Sequence, residues 1–225
     1  REKEVLSDED IMSVVSLAED EIEKRSLLYH GVGHGWTTQA FGIDGSSWST
    51  HDEPEPQFQE VLALVNGARK LWRGVPLNTN LCYSNDKARK CVTDNIVEYL
   101  KKHPKISYLH FWLADGMNNN CECDNCRGKR TSDYYVKMLN ELDEKLSKEK
   151  IDAKIVFLVY FDLLWKPLYE QLLNSERFVL MFAPISRSYS ESFNADTEAE
   201  MKPYELNKLK FPKDVSENLA YLKDW

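Results

Sequence analysis

The feature that most constrains this chain is an alternation of two periodicities. Five strand-like runs, "SLLYHG", "PLNTNLCY", "ISYLHFWLADG", "KIVFLVYFD" and "RFVLMFAP", are separated by segments whose apolar residues recur at helical spacing. The spacing predicts a helix near 8–24, where Ser7 and Asp10 form a capping-box pattern ahead of Ile11, Val14, Val15, Ala18 and Ile22. A second is predicted on Phe58, Val61, Leu62, Val65 and Trp72, and a third within "SNDKARKCVTDNIVEYLKKHP". Tyr135, Met138, Leu139, Leu142 and Leu146 mark a fourth, and a short one is expected near 164–174. Parallel strands need a crossover of about this length, and apolar runs without strict alternation suit burial on both faces of a sheet. The fold class is therefore α/β, as a (β/α)8 TIM-barrel type or an open doubly wound sheet. Five strands would leave a barrel incomplete. No G-x-G-x-x-G turn follows any strand, which removes the commonest nucleotide-binding reading.

The 225 residues, 42% of them hydrophobic, suit one domain over 1–225. With 37 acidic against 29 basic residues, the chain lacks the basic footprint of a phosphate-backbone binder, so nucleic acid is not an expected partner. No stretch approaches the ~18 apolar residues that span a bilayer. A start on Arg1 and an end at Trp225, just after the amphipathic Val215, Leu219 and Leu222, are expected to mark a piece of a larger protein. Residues 31–56, rich in Gly, Ser, Thr and Trp, form a long loop of the kind that walls a site. Residues 186–212 are polar and irregular.

In both architectures ligands bind at the carboxyl ends of the strands, so polar residues there gather on one edge. They are His30, Asn80, Tyr83, Asp115, Asp162 and Arg187, with the rings of Trp36, Trp112, Tyr160 and Tyr189 nearby in sequence. Rings that stack on C–H faces, beside groups that bond hydroxyls, suit a sugar. Glycoside cleavage needs a protonated carboxyl for the leaving group and a second group for the cationic ring. Asp115 and Asp162 are the candidate catalytic pair, with Asp115 as general acid. The alternative is that each caps a helix or satisfies loop amides, the ordinary work of Asp after a strand. In "YHGVGHGW", His30 and His34 stand ready to bind a metal, polarise a substrate or contact hydroxyls, or else bond neighbouring backbone. The substrate-binding candidates are His30, His34, Trp36, Asn80, Tyr83, Trp112, Tyr160 and Arg187.

Of five cysteines, Cys82 and Cys91 fall in apolar-patterned segments, while Cys121, Cys123 and Cys126 share one loop with C-x-C-x-x-C spacing. Three thiolates so close can reach one tetrahedral ion, zinc for example, with the fourth ligand from His, Asp or water. A disulfide between two of them, or three free thiols, are the alternatives. Either cross-link would stiffen the loop that follows Asp115. No other cofactor is expected.

"NTNLCYSNDKARKCVTDNIVEYLKKHP" followed by "ISYLHFWLADGMNNNCECDNC" resembles the core of an uncharacterised bacterial domain family of polysaccharide-degrading proteins, related to α-glucuronidase and hexosaminidase barrels. The resemblance rests on the pattern from Leu81 to Asn85, on Asp115 to Cys126 and on "HGVGHGW", and covers roughly residues 8–185. It implies a (β/α)8-type glycoside hydrolase in an exported, periplasmic or cell-surface protein with flanking domains. It favours the barrel over the open sheet. The strand "HFWLADG" departs from hexosaminidase-like barrels in having no Asp-Glu doublet, which leaves substrate-assisted chemistry open beside a two-carboxylate mechanism. The resulting expectation is carboxyl acid/base hydrolysis of a glycan. Its rivals are a non-catalytic glycan-binding domain and a metal-dependent hydrolase using the cysteine loop with His34.

Overall fold

Two long helices carry the sequence pattern most directly. Asn85 caps the helix Asp86–Lys102 by accepting from the Lys87 amide, and Ala88, Val92, Ile96 and Leu100 line its buried stripe. The helix Thr131–Lys148 buries Tyr135, Met138, Leu139, Leu142 and Leu146, the spacing its sequence carries. The computed structural model describes residues 6–31, 33–43, 45, 47–193 and 199–225.

In chain order the helices are α1 (Asp8–Lys24), α2 (Trp36–Gln39), α3 (Pro56–Gln59), α4 (Asp86–Lys102), α5 (Asp124–Arg127), α6 (Thr131–Lys148) and α7 (Val215–Asp224). The strands are β1 (His30–Gly31), β2 (Leu64–Val65), β3 (Ala68–Arg69), β4 (Tyr108–Phe111), β5 (Lys154–Val159) and β6 (Phe178–Phe182). Four of them form one parallel sheet in the order β1-β4-β5-β6, with α-helices between β1 and β4 and between β4 and β5, and only 3-10 turns at Phe161–Leu164 and Ser175–Arg177 between β5 and β6. Each new strand is added on the same side of the last, with no reversal of order among the described strands.

Register divides the sheet into two faces, because paired residues of parallel strands point the same way and neighbours alternate. Leu109, Phe111, Ile155, Phe157, Val159 and Phe178 share the face that α6 covers, where the Tyr135 ring meets Phe111 at 5.6 Å and Phe157 at 6.2 Å. The other face carries Tyr108, His110, Val156, Leu158, Val179 and Met181. Val179 and Met181 on the outer strand β6 are 41% and 38% exposed. Helix α1 forms over the predicted span with its Ser7–Asp10 capping box, yet Ile11 and Val14 of its stripe stay exposed. It is tied down by polar contacts instead, Glu19 to His103 and Asp20 to Lys105.

Three predicted elements take another form. The helix expected from Phe58 to Trp72 is a single turn, α3, followed by the antiparallel hairpin β2–β3. Asn66 and Gly67 turn that hairpin with φ of 50° and 77°, the left-handed pair that a two-residue turn requires and that Asn-Gly supplies at little cost. "PLNTNLCY" is no strand of the sheet. It makes a 3-10 turn at Pro76–Asn78 and one antiparallel bridge from Leu81 to Leu62. The helix expected near 164–174 is absent among the described residues. Its amides go elsewhere, those of Leu168, Tyr169 and Glu170 donating to Asp133 of α6 and that of Leu173 to Asn140.

Candidate functional site

Strand β4 ends its pairing at Phe111, and the chain continues through Trp112, Leu113 and Ala114 to Asp115 at the carboxyl edge of the sheet. The Asp115 amide donates to the Leu77 carbonyl at 2.9 Å, which fixes where the side chain emerges. Gly116 follows because the Asn78 carbonyl lies only 2.6 Å from where a Cβ would stand. Asp115 Oδ1 accepts from the Tyr160 hydroxyl at 2.8 Å, and Oδ2 accepts from the Trp48 indole at 3.2 Å. Tyr160 lies just past the end of β5, and Trp48 comes from the 31–56 segment. His34 completes the group, its Nε2 3.8 Å from Asp115 Oδ1. Its Nδ1 bonds the Leu113 carbonyl at 2.7 Å and must donate there, so in the neutral ring Nε2 keeps its lone pair. The Asp115 side chain remains 23% exposed and Trp48 is 67% exposed.

Trp112 backs this group, its ring edge-on to His34 at 4.9 Å and to His110 at 5.3 Å. Its indole nitrogen and His110 Nδ1 are buried without a hydrogen-bond partner among the described residues, an uncommon condition in a folded chain. Burial, then the neighbouring His30, push the His110 pKa down. His30 lies on the same face, with Nδ1 2.9 Å from His110 Nε2 and its ring stacked on Tyr108. Burial, then the adjacent Asp115, push the Tyr160 hydroxyl far up, so it stays a donor to that carboxylate. A Cβ on Gly33 would stand 2.4 Å from the Trp112 ring. Gly33→Ala is therefore expected to displace Trp112 and cost about 1–3 kcal/mol, read as a lower urea midpoint with changed tryptophan fluorescence.

Asp162, the expected catalytic partner, has different surroundings. It is 5% exposed, and it accepts from the Asn118 amide at 2.9 Å and from Asn120 Nδ2 at 2.7 Å. Both bonds hold the loop that follows Asp115, so Asp162 does the loop-amide work that strand-end aspartates commonly do. Burial pushes its carboxyl up to about 6, against the pull of those hydrogen bonds. A raised native pKa means that the fold keeps a proton the unfolded chain has already released. This contribution is favourable below about pH 4 and declines as pH rises to about 6, by on the order of 3 kcal/mol. Urea midpoints measured across that window should fall in the native protein, and Asp162→Asn should flatten this component.

Trp36, Asn80 and Tyr83 were expected to touch substrate, but they are interior. Trp36 is 2% exposed and donates its indole N–H to the His110 carbonyl. The buried Tyr83 hydroxyl donates to Asn80, whose amide donates to Asn119, whose amide in turn donates to the Asn78 carbonyl. This chain of bonds locks the 116–120 loop against the segment before α4. Arg187 turns inward on its own loop, over the Tyr189 and Phe193 rings and bonded to the Ser188 and Glu191 carbonyls.

The cysteine loop meets a residue that sequence reasoning had set apart. The sulfurs of Cys82, Cys121, Cys123 and Cys126 all lie within 4.8 Å of one another. Cys82 reaches them because residues 80–82 run antiparallel to 61–63, with the Cys82 amide donating to the Val61 carbonyl at 2.8 Å. All four are free thiols, and three are buried. Hydrogen bonds from Cys121 and Cys126 draw the Cys82 thiol strongly down, while the same crowding drives Cys126 up. The signal for Cys82 lay in its "LCYSN" setting, a fourth cysteine in a chain with only one left over. Trp48, the other residue missed, carried no signal beyond its place in a long loop.

The fold and site thus define a mixed α/β protein whose four-stranded parallel sheet carries Asp115, with His34, Trp48 and Tyr160 around it, at one edge, and whose following loop enters a four-thiol cluster. The chain belongs to the family described as Domain of unknown function (DUF4838), whose model matches residues 28–220. No curated protein and no solved structure matches it. Among the described residues no helix is long and apolar enough to cross a membrane.

Proposed function

We propose that the chain is part of a glycoside hydrolase acting on a polysaccharide or glycan, with Asp115 as its acid/base group. The observation that carries this reading is the convergence of Trp48, Tyr160 and His34 on one partly exposed carboxylate at the carboxyl edge of parallel strands. Trp48 and Trp112 offer ring faces to a pyranose. The His34 Nε2 lone pair offers an acceptor to its hydroxyls. With Asp162 committed to the loop, the second group comes from the substrate itself, as in substrate-assisted hydrolysis, or from outside the described residues.

The sheet is read here as an arc of a (β/α)8 barrel. Its strand order runs without reversal, helix α6 lies on one face, and the outer strand β6 keeps apolar residues exposed on the other. A barrel of this kind in an exported protein with flanking domains fits the family resemblance.

Non-catalytic glycan binding is the second reading, favoured by the commitment of Asp162 to loop amides. Turnover assays on uronic-acid and hexosamine glycosides, paired with calorimetry, separate the two. Product release supports hydrolysis, binding without product supports the second reading, and neither binding nor product contradicts both.

A further inference from the structure

We infer that Cys82, Cys121, Cys123 and Cys126 bind one structural zinc ion as a closed tetrathiolate site. Zinc–sulfur bonds of about 2.3 Å directed to the corners of a tetrahedron set sulfur–sulfur edges of about 3.8 Å. Cys82 Sγ lies 3.7 Å from Cys123 Sγ and 4.0 Å from Cys126 Sγ, and no pair in the quartet exceeds 4.8 Å. These separations are far above a disulfide's ~2.05 Å. They leave room for one ion, not for the multi-iron core of an iron–sulfur cluster. Four soft thiolates in tetrahedral array with no open position are the donor set of structural zinc.

The surroundings fit an anionic centre. Binding releases the four thiol protons to solvent and leaves a net charge of minus two on the zinc and its sulfurs, which needs donors and a cation nearby. The Leu64 amide donates to Cys121 Sγ at 3.3 Å, and the Ser84 hydroxyl lies 3.1 Å from Cys126 Sγ and 3.3 Å from Cys82 Sγ. Arg69 of the β2–β3 hairpin is the adjacent cation, its guanidinium interacting with the Cys82 thiol. The hairpin is clamped onto the cysteine loop by the Glu122 amide donating to the Leu64 carbonyl at 2.7 Å and the Asn66 amide donating to Glu122 at 2.9 Å. The ion would join three segments distant in sequence: the hairpin through the Leu64 amide bonded to Cys121, the approach to α4 through Cys82, and the loop running from Asp115 through the other three cysteines.

The test is metal content and cobalt spectroscopy of the full chain, purified under reducing conditions and incubated with zinc chloride. One zinc per chain is expected after gel filtration. Cys82→Ser should weaken zinc binding by about 100-fold or more, while Cys91→Ser, which changes the cysteine outside the quartet, should leave it intact. Because Cys82→Ser can fail to fold, the demetallated native chain is also titrated with cobalt(II). Tetrahedral tetrathiolate bands saturating at one equivalent support the site, as does a thermal midpoint lowered by on the order of 10 °C on zinc removal. Absence of stoichiometric zinc and of cobalt bands, iron in place of zinc, a disulfide within the quartet in the intact mass, or full zinc retention by folded Cys82→Ser would each overturn it. None of these readouts depends on glycoside turnover.

Discussion

Asp115→Asn is expected to reduce glycoside turnover by about 10²–10⁴-fold while changing substrate affinity by less than about tenfold. Asparagine keeps the shape of the side chain and an oxygen able to accept from the Tyr160 hydroxyl, while its NH2 replaces the oxygen that accepts the longer bond from the exposed Trp48 indole. What it loses is a group that exchanges a proton with the leaving oxygen. The comparison that matters is kcat against calorimetric Kd for the same substrate. Tyr160→Phe is the companion variant, because it removes the 2.8 Å bond that orients the carboxylate but leaves the carboxyl group itself in place. A smaller fall in kcat is expected there. Equal turnover by native protein and Asp115→Asn would exclude Asp115 from the chemistry.

The largest expected effect on stability away from the site is at Asp133. This side chain is 1% exposed and accepts from the amides of Leu168, Tyr169 and Glu170 through Oδ1, and from Arg130 through Oδ2. Asp133→Ala would strand these N–H groups. Buried donors left unsatisfied cost about 1–3 kcal/mol each, but Leu168 and Tyr169 are exposed enough for water to compensate some of them. A net loss of about 3 kcal/mol is expected, or roughly 6–12 °C in Tm for a chain of this size. Asp133→Asn should fall between, since its oxygen can still serve the 168–170 amides while its NH2 faces the Arg130 amide. Calorimetric melts of the three proteins check this order.

Asp133 also explains why one element was illegible in sequence. The stretch 164–174 has the composition of a short helix, but its amides are taken by side chains of α6 that lie more than thirty positions away. No local pattern reports that competition. The hairpin at Leu64–Arg69 was different, since Asn66-Gly67 is a strong turn signal that the helical spacing of Phe58, Val61, Leu62 and Val65 concealed. What could be read were the long periodic elements, α4, α6 and the cores of β4 and β5, where burial and spacing agree, and the position of β6, whose central residues 179–181 stay exposed where an apolar run had suggested burial on both faces.

At the site, sequence position identified the strand end of Asp115 but not its partners. Asp115 and Asp162 have the same signature, a carboxylate closing an apolar run, yet one stays partly open and the other is 5% exposed beneath three consecutive asparagines. Those asparagines, residues 118–120, reach to Asp162, to Asn80 and to Asn207, three directions that only the folded chain brings together. Cys82 was hidden for the same reason, since its distance in sequence from the cysteine loop disguised contact across an antiparallel bridge.

The central claim is that a glycan seats on the aromatic group around Asp115. Indole N–H resonances of nitrogen-15-labelled protein test it directly, because the chain has six tryptophans in distinct settings. Titration with glycans that the turnover or calorimetric screen selects should move the signals of Trp48, bonded to Asp115, and of Trp112, whose ring packs against His34. Those of Trp165 and Trp225, bonded to the Lys202 and Leu163 carbonyls, should stay in place. Glycan binding that leaves Trp48 and Trp112 unmoved would contradict the account.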